Sequence, residues 1–369
     1  MSTPVLSILI KPASSLCNMR CKYCFYYNVS QNREIGSYGI MSQEVMKNLI
    51  DRAFDEIAAG GKLYFAFQGG EPTLAGIEYF RGFVSYVSHK VNIEKACSIN
   101  YSIQTNGLVV DEEWCKFLKE NDFLVGLSLD CNNEIHDMHR IDSNGCGTHA
   151  EVIKAVKLMD RHKVQYNVLS VVTRAMARKP EKVFKEYLKN RYKYLQFIPC
   201  LKPFGESESS SFDLTPQMYA EFLTVFFKQW KHQLEVGNYI SIRLFDNLIS
   251  VLKGYPAEQC GFSGRCSMQY VIEADGSIYP CDFYVLDEYN CGNVQEATLG
   301  EAAASQAATK FLGVDQKAEM CNVCRFKALC GGGCRRYREL YHGENSYCAY
   351  RQFLYNIYDD MMEVAQKLS

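Results

Sequence analysis

The hydrophobic pattern alternates between short apolar runs and longer amphipathic segments up to about residue 230. The apolar runs are rich in β-branched and aromatic residues, which predicts strands, and the amphipathic segments have the period of helices. Six strands are predicted: LSILIKP (6–12), LYFAFQ (63–68), SINYSIQ (98–104), FLVGLSLD (123–130), VQYNVLSVVT (164–173) and YKYLQFIP (192–199). Helices are predicted over 41–59, with Ser42 as N-cap, over 77–90, and around Glu112, Ala150 and Lys182.

Strands separated by helices favour parallel pairing, and six such units predict an α/β fold with a partial (β/α)6 TIM-like barrel. In such folds the site lies at the carboxyl ends of the strands. The polar motifs of this half do follow strands: a cysteine loop, QGGEP (68–72), QTNG (104–107) and SLD (128–130).

The amino-acid composition changes after residue 255, where cysteine and glycine become frequent. ADG (274–276) predicts a hairpin between short strands. We therefore divide the chain into a barrel domain over 1–236, a metal-stapled domain over 237–348 and a C-terminal helix over 349–369. A length of 369 residues with 47% hydrophobic content is sufficient for about two domains with a large core.

The charge balance gives no electrostatic reason to expect a nucleic acid or membrane partner. The chain has 40 basic and 42 acidic residues, for a formal net charge of −2. The first apolar run stops at Lys11 and Pro12, so it resembles neither a secretory signal nor a membrane span, and we expect a cytoplasmic protein. In a reducing compartment the 17 cysteines favour metal binding or thiol chemistry over disulfides.

The segment CNMRCKYC (17–24) places three cysteines within eight residues. Three thiolates either take a remote fourth ligand, as in a zinc knuckle completed by His89, or leave one metal position open for chemistry. The C-x3-C-x2-C spacing, with an aromatic residue before the last cysteine, resembles the signature of the radical S-adenosylmethionine (radical SAM) superfamily. The resemblance implies that Cys17, Cys21 and Cys24 hold a 4Fe-4S cluster whose fourth iron binds SAM.

The same resemblance implies a set of SAM contacts at the strand ends. The guanidinium of Arg140 suits the SAM carboxylate, and the missing side chains of the glycine pair allow close backbone approach. Taken singly, each of these residues could instead be an ordinary turn, cap or barrel residue. The implied SAM contacts are Tyr23, Gly69, Gly70, Glu71, Gln104, Asn106, Ser128, Arg140 and Leu195.

The cysteines from Cys266 onward resemble the seven-cysteine pattern of the SPASM extension of certain radical SAM enzymes, and Cys260 adds an eighth thiolate. The alternative is a pair of zinc ribbons. From the family arrangement, one auxiliary 4Fe-4S cluster takes Cys260, Cys266, Cys281 and Cys334, and a second takes Cys321, Cys324, Cys330 and Cys348. With the N-terminal cluster this makes three clusters, and we read the six remaining cysteines mostly as buried apolar fillers.

Nearly the whole chain resembles the anaerobic sulfatase-maturating enzymes, from KPASSLCNMRCKYCFYY to YPCDFYVLDEYNCGN. The family implies that reductive cleavage of SAM gives a 5′-deoxyadenosyl radical, which removes a hydrogen from the Cβ of a Cys or Ser in an unfolded sulfatase polypeptide and leads to formylglycine. It also implies Asp282 as the base and an external one-electron donor such as flavodoxin or ferredoxin. Tyr26 and Gln68 are candidates for substrate contact, with core packing as the alternative.

Two points stay open at this stage. The sequence does not choose between a Cys and a Ser substrate, and Cys131 stands after SLD where the family more often has glycine. The competing functions are a thioether-forming or other peptide-modifying relative and a non-catalytic zinc protein.

Overall fold

A computed structural model of the chain describes residues 3–93, 96–205, 210–313 and 318–368. The chain forms two compact units, each built from separate stretches of sequence. The first unit comprises 1–128, 140–166 and 268–314, and the second comprises 129–139, 167–267 and 315–369.

The first unit contains a sheet with the strand order β4-β3-β2-β1-β8-β9. Its strands are β1 (Thr3–Ile10), β2 (Ile57–Phe67), β3 (Ser98–Thr105), β4 (Leu124–Ser128), β8 (Val271–Ile272) and β9 (Ile278–Tyr279). Strands β1 to β4 pair in parallel, β8 joins β1 in parallel, and β9 closes an antiparallel hairpin with β8. The helices are α1 (Phe25–Gln31), α2 (Gln43–Glu56), α3 (Ile77–Ile93), α4 (Glu112–Glu120), α6 (His149–His162), α11 (Leu299–Ala304) and α12 (Gln306–Gly313).

Aromatic side chains form much of the core of the first unit. Phe67 of β2 makes edge contacts with Phe80 and Phe83 of α3, at ring-centroid distances of 4.9 and 5.0 Å. All three are almost completely buried, so truncation of any one to alanine is expected to cost about 3–5 kcal/mol. This packing fixes α3 against β2, at whose carboxyl end QGGEP begins.

The second unit contains three parallel strands in the order β7-β6-β5. The strands are β5 (Tyr166–Val172, of which only Tyr166 belongs to the first unit), β6 (Tyr194–Pro199) and β7 (Ser241–Ile242). The helices are α5 (Asn133–His139), α7 (Arg174–Ala177), α8 (Pro180–Lys189), α9 (Pro216–Glu235), α10 (Arg243–Leu252), α13 (Lys327–Cys330), α14 (Arg338–Tyr341) and α15 (Ala349–Lys367). Helices α9 and α15 are joined by Lys231, whose ammonium lies 2.6 Å from carboxylate oxygens of both Asp360 and Glu363.

The six predicted strands, the alternation with helices, the hairpin near 274–276 and the C-terminal helix are confirmed. The Ser42 hydroxyl accepts a hydrogen bond from the Val45 amide, which confirms it as an N-cap. The predicted end of the first long helix is wrong, because α2 ends at Glu56 and Ile57 already begins β2. The domain limits at 236 and 348 stay a prediction. Within the described ranges, no helix is both long and apolar enough to cross a membrane.

Candidate active site

The loop that follows β1 is held in place by the glycine pair that follows β2. The Gly70 amide donates to the Ser14 carbonyl at 2.8 Å, and the Glu71 amide donates to the Leu16 carbonyl at 2.7 Å. A Cβ added at Gly70 would lie 2.1 Å from the Leu16 carbonyl oxygen, and Gly69 has a φ of +124°. Both glycines are therefore required locally, since a side chain would push the cysteine loop away.

The thiols of the first cysteine group receive backbone hydrogen bonds. Cys24 is the N-cap of α1 and its sulfur accepts from the Tyr27 amide at 3.4 Å, while the Cys17 sulfur accepts from the Met19 amide at 3.4 Å. Burial raises the pKa of Cys17 to about 11 and also raises that of Cys24. Thiols that are half-buried, close enough to affect each other's pKa and bonded to backbone amides fit the donor set of an iron-sulfur cluster. Cys21 lies in the same loop and is partly exposed.

Glu71 joins the glycine segment to the end of β3. Its buried carboxylate accepts hydrogen bonds from the Thr73 amide and hydroxyl, the Thr105 hydroxyl and the Asn106 amide, at 2.7 to 3.1 Å. These bonds make Glu71 a support of the loop, and its contact with SAM stays a prediction. The Asn106 side chain donates to Asn18 at 2.7 Å and lies 3.8 Å from the Cys17 sulfur.

The other predicted SAM contacts of the first unit also lie at strand ends or beside the cysteine loop. The Gln104 amide donates to the Ser128 hydroxyl at 3.0 Å, which links the ends of β3 and β4. The Arg140 guanidinium lies 5.5 Å from the centre of the Tyr23 ring, and both side chains are buried. Leu195 belongs to the second unit, where it is buried in β6.

Tyr26 and Asp282 both contact the buried Lys11 ammonium, and Gln68 contacts Asp282. Lys11 Nζ lies 2.5 Å from Asp282 Oδ1 and 3.7 Å from the centre of the Tyr26 ring. The Gln68 side chain donates to the second carboxylate oxygen of Asp282 at 2.9 Å. The Lys11 side chain is fully buried and that of Asp282 is 11% exposed, so the pair is largely shielded from solvent.

A second buried carboxylate, that of Glu273, binds the hydroxyl group of Tyr26. It accepts from the Tyr26 hydroxyl and, at 2.7 Å, from the Ser14 hydroxyl, and Arg33 Nη1 lies 3.2 Å from its Oε1. Burial and the neighbouring Glu273 carboxylate raise the pKa of Tyr26 well above its ordinary value, so the phenol remains protonated and donates.

The sequence analysis missed Lys11, Glu273 and Arg33. The available signal was a charged residue at the edge of a strongly apolar stretch, in LSILIKP and in YVIEADG. A charge in such a position is expected to find a buried partner.

The second auxiliary set comes together within the second unit. Cys321, Cys324, Cys330 and Cys348 line one pocket with Phe326. Burial raises the pKa of Cys330 to about 11, and the nearby thiols of Cys348, Cys324 and Cys321 add to the effect. The four thiols that line this pocket match in number the ligands of a metal cluster that is fully ligated by protein.

The first auxiliary set divides between the units. Cys334 lies near Cys260 and Cys266 in the second unit, where their charges act on its pKa, which burial raises to about 11. Cys281 belongs to the first unit and directly precedes Asp282. The assignment of these four ligands stays a prediction.

Cys131 occupies a tight turn after β4 and is buried there. It has a φ of +52°, which glycine adopts with least strain, and its amide donates to the Tyr187 hydroxyl at 2.8 Å. The residue is 3% exposed. Cys131 therefore acts as a small buried side chain in a left-handed turn.

Comparison with known proteins agrees with this geometry. The profile of the radical SAM superfamily matches residues 12–179, and that of an iron-sulfur cluster-binding domain, SPASM, matches residues 260–327. The chain is 45% identical to the cysteine-type anaerobic sulfatase-maturating enzyme of Clostridium novyi, over 90% of this chain and 89% of that protein. It is 28% identical to the serine-type anaerobic sulfatase-maturating enzyme of Klebsiella aerogenes, over 89% of this chain and 79% of that protein.

A solved structure gives the same result in three dimensions. Native anSMEcpe with bound AdoMet and Cp18Cys peptide superposes with a TM-score of 0.90 at 41% sequence identity, over 99% of this chain and all of that chain. The predicted radical SAM barrel with a SPASM domain is thereby confirmed, as are SAM and iron-sulfur clusters as its cofactors. The chain belongs to the anaerobic sulfatase-maturating enzymes, a family of radical SAM oxidoreductases.

Proposed function

We propose that this enzyme oxidises a cysteine side chain in an unfolded sulfatase polypeptide to formylglycine. The observation that carries the proposal is a buried cluster at the start of the loop that leads to Cys17. In it Lys11 contacts Asp282 and the Tyr26 ring, and Gln68 donates a hydrogen bond to Asp282. A related structure with bound AdoMet and peptide, similar over nearly the whole chain, supports a peptide substrate.

Similarity favours cysteine over serine as the target. The chain is 45% identical to a cysteine-type relative and 28% identical to a serine-type one, over similar shares of this chain. The two targets differ in the proton that must be lost, because a thiol is far more acidic than an alcohol. A base of ordinary strength is therefore sufficient for the cysteine reaction.

SAM bound at the cluster of Cys17, Cys21 and Cys24 supplies the oxidising radical chemistry. The residues around Lys11 determine where the target side chain lies. We assign Asp282 as the acceptor of the thiol proton, because Lys11 and Gln68 hold its carboxylate in one orientation. Tyr26 and Gln68 are assigned as substrate contacts that keep the target Cβ in reacting position.

The oxidation removes two electrons and two protons from the cysteine. One hydrogen atom leaves Cβ and the thiol proton goes to Asp282, while the auxiliary clusters, when bound, would supply the acceptor for the second electron. The resulting thioaldehyde then exchanges sulfur for oxygen with water, releasing hydrogen sulfide. The thiols that line the pocket of Cys330 would hold one of these clusters, and we propose flavodoxin or ferredoxin as the external one-electron donor.

A matched pair of peptides tests the proposal. Two peptides of one sulfatase motif, identical except for Cys or Ser at the target, are incubated anaerobically with the loaded enzyme, SAM and reductant. We expect aldehyde, trapped with a hydrazide, and 5′-deoxyadenosine from the Cys peptide at well above the rate for the Ser peptide. Equal rates would refute the cysteine preference, and a crosslink in place of an aldehyde would refute formylglycine formation.

A further inference from the structure

Glu273 and Arg33 form a fully buried ion pair in the first unit, and neither is among the residues that the proposed reaction uses. Both side chains are 0% exposed, and Arg33 Nη1 lies 3.2 Å from Glu273 Oε1. Arg33 also donates to the Gly36 carbonyl at 2.9 Å. A pair so completely removed from water gives little net stability, so its presence points to another role.

The contacts of Glu273 lead to the proposed base. Its carboxylate accepts a hydrogen bond from the Tyr26 hydroxyl. The centre of the Tyr26 ring lies 3.7 Å from Lys11 Nζ, which in turn lies 2.5 Å from Asp282 Oδ1. The ring can support Lys11 in only one orientation, because a cation is attracted to the ring face and not to the edge. The bond to Glu273 fixes that orientation.

A second branch leads from Glu273 to the cysteine loop. The Ser14 hydroxyl donates to Glu273 Oε2 at 2.7 Å and accepts from the Tyr38 amide at 3.1 Å. The Ser14 carbonyl accepts from the Gly70 amide at 2.8 Å. One carboxylate thus sets both the Tyr26 ring and the start of the loop that carries Cys17.

We propose that Glu273, neutralised by Arg33, is a positioning residue for the oxidation, acting through Tyr26 on Lys11 and Asp282. Its side chain is fully buried and its contacts are with other side chains of the protein, so it acts through them. Loss of Glu273 should let Tyr26 turn and Lys11 move away from Asp282, so that SAM is still cleaved but less of the cleavage yields product. This inference rests on the proposed function, since it is measured through formylglycine yield.

The experiment compares three variants: Arg33→Met/Glu273→Met, Tyr26→Phe and their combination. Removing both charges leaves no unpaired buried ion, and methionine retains much of the volume. The readout is the ratio of 5′-deoxyadenosine to formylglycine. We expect the ion-pair variant and Tyr26→Phe each to raise this ratio on the order of tenfold. The ratio in the combined variant should exceed the larger of the two single-change ratios by less than about twofold.

A control separates positioning from general loss of stability. Lys90 Nζ lies 2.9 Å from Asp51 Oδ1 and ties α3 to α2, with the Lys90 side chain 10% exposed. Asp51→Asn/Lys90→Met should lower the melting temperature and leave the ratio at the wild-type value. Should the Met variant fail to fold, Glu273→Asp keeps the charge beside Arg33 but shortens the reach to Tyr26, and it should raise the ratio in the same direction.

A crystal structure of the variant gives a readout independent of activity. We expect the distance from Lys11 Nζ to Asp282 to exceed about 4 Å. The inference would be overturned by an unchanged ratio in the ion-pair variant or by an unmoved Lys11 in its crystal structure. It would also be overturned if the combined variant raised the ratio by the product of the two separate effects. Wild-type enzyme that makes no aldehyde would instead refute the proposed function, so the two failures are distinguishable.

Discussion

Replacement of Gly70 by alanine is the sharpest perturbation of the cysteine loop that the structure offers. The new Cβ would lie 2.1 Å from the Leu16 carbonyl oxygen and 2.7 Å from the carbonyl carbons of Ser15 and Leu16. All three atoms are backbone, so no side-chain rotation can relieve the clash. The loop must move by about 1 Å or more to restore ordinary contact.

That movement breaks the two hydrogen bonds that hold the loop, from Gly70 to Ser14 at 2.8 Å and from Glu71 to Leu16 at 2.7 Å. Each buried group left without a partner costs about 1–3 kcal/mol, which gives about 2–6 kcal/mol in total. A loss of this size is comparable with much of the stability of a typical protein. We expect the variant to lose the local geometry of Cys17 before it loses the fold.

Iron content after anaerobic reconstitution measures the effect. The wild type should contain about twelve irons per chain, for three 4Fe-4S clusters, and Gly70→Ala about eight, with no SAM cleavage. Gly82→Ala is the matched control, because its Cβ would meet only the Gln43 side chain at 3.7 Å. Full iron content and normal SAM cleavage in Gly70→Ala would refute the reasoning.

Three further changes have defined outcomes. Asp282→Asn keeps its contact with Gln68 but cannot take a proton, so aldehyde yield should fall on the order of a hundredfold while 5′-deoxyadenosine still forms; an unchanged yield removes Asp282 from its role. Cys348→Ala should lose about four irons, whereas Cys291→Ala, at a buried cysteine outside the predicted ligand set, should lose none. Burial raises the pKa of Asp246 to about 6. The protonated carboxyl therefore stabilises the fold fully below the ordinary pKa of 3.8, and this stabilisation is lost as the pH rises through about 6. Asp246→Asn should therefore be more stable than the wild type by about 2 kcal/mol at pH 8 and show little gain near pH 4, by denaturant titration; an equal gain at both values would contradict this.

The strands and the cysteine groups could be predicted from sequence because their signals are local. Apolar runs such as LSILIKP have strand composition, and the C-x3-C-x2-C spacing of Cys17, Cys21 and Cys24 is a local pattern typical of a loop that binds an iron-sulfur cluster. The glycine pair was predicted from its place after a strand. Its physical reason, the approach of the Gly70 Cα to the Leu16 carbonyl, appears only in three dimensions.

The rest depends on contacts that are distant in sequence. Lys11 and Asp282 are separated by 271 positions, and Tyr26 and Glu273 by 247, so no local pattern links them. The end of α2 was misplaced for a related reason. Ile57 and the two alanines after it suit a helix, but Ile57 pairs with Thr3 of β1, and the alanines lie in the irregular stretch of β2 before the register resumes at Lys62.

Deuterium transfer from the substrate tests the central claim most directly. A sulfatase peptide with its target cysteine deuterated at Cβ is incubated with enzyme, SAM and reductant, and both products are analysed by mass spectrometry. We predict one deuterium in 5′-deoxyadenosine for each formylglycine formed. Formylglycine without deuterium in 5′-deoxyadenosine, or deuterium transfer without any aldehyde, would contradict the account.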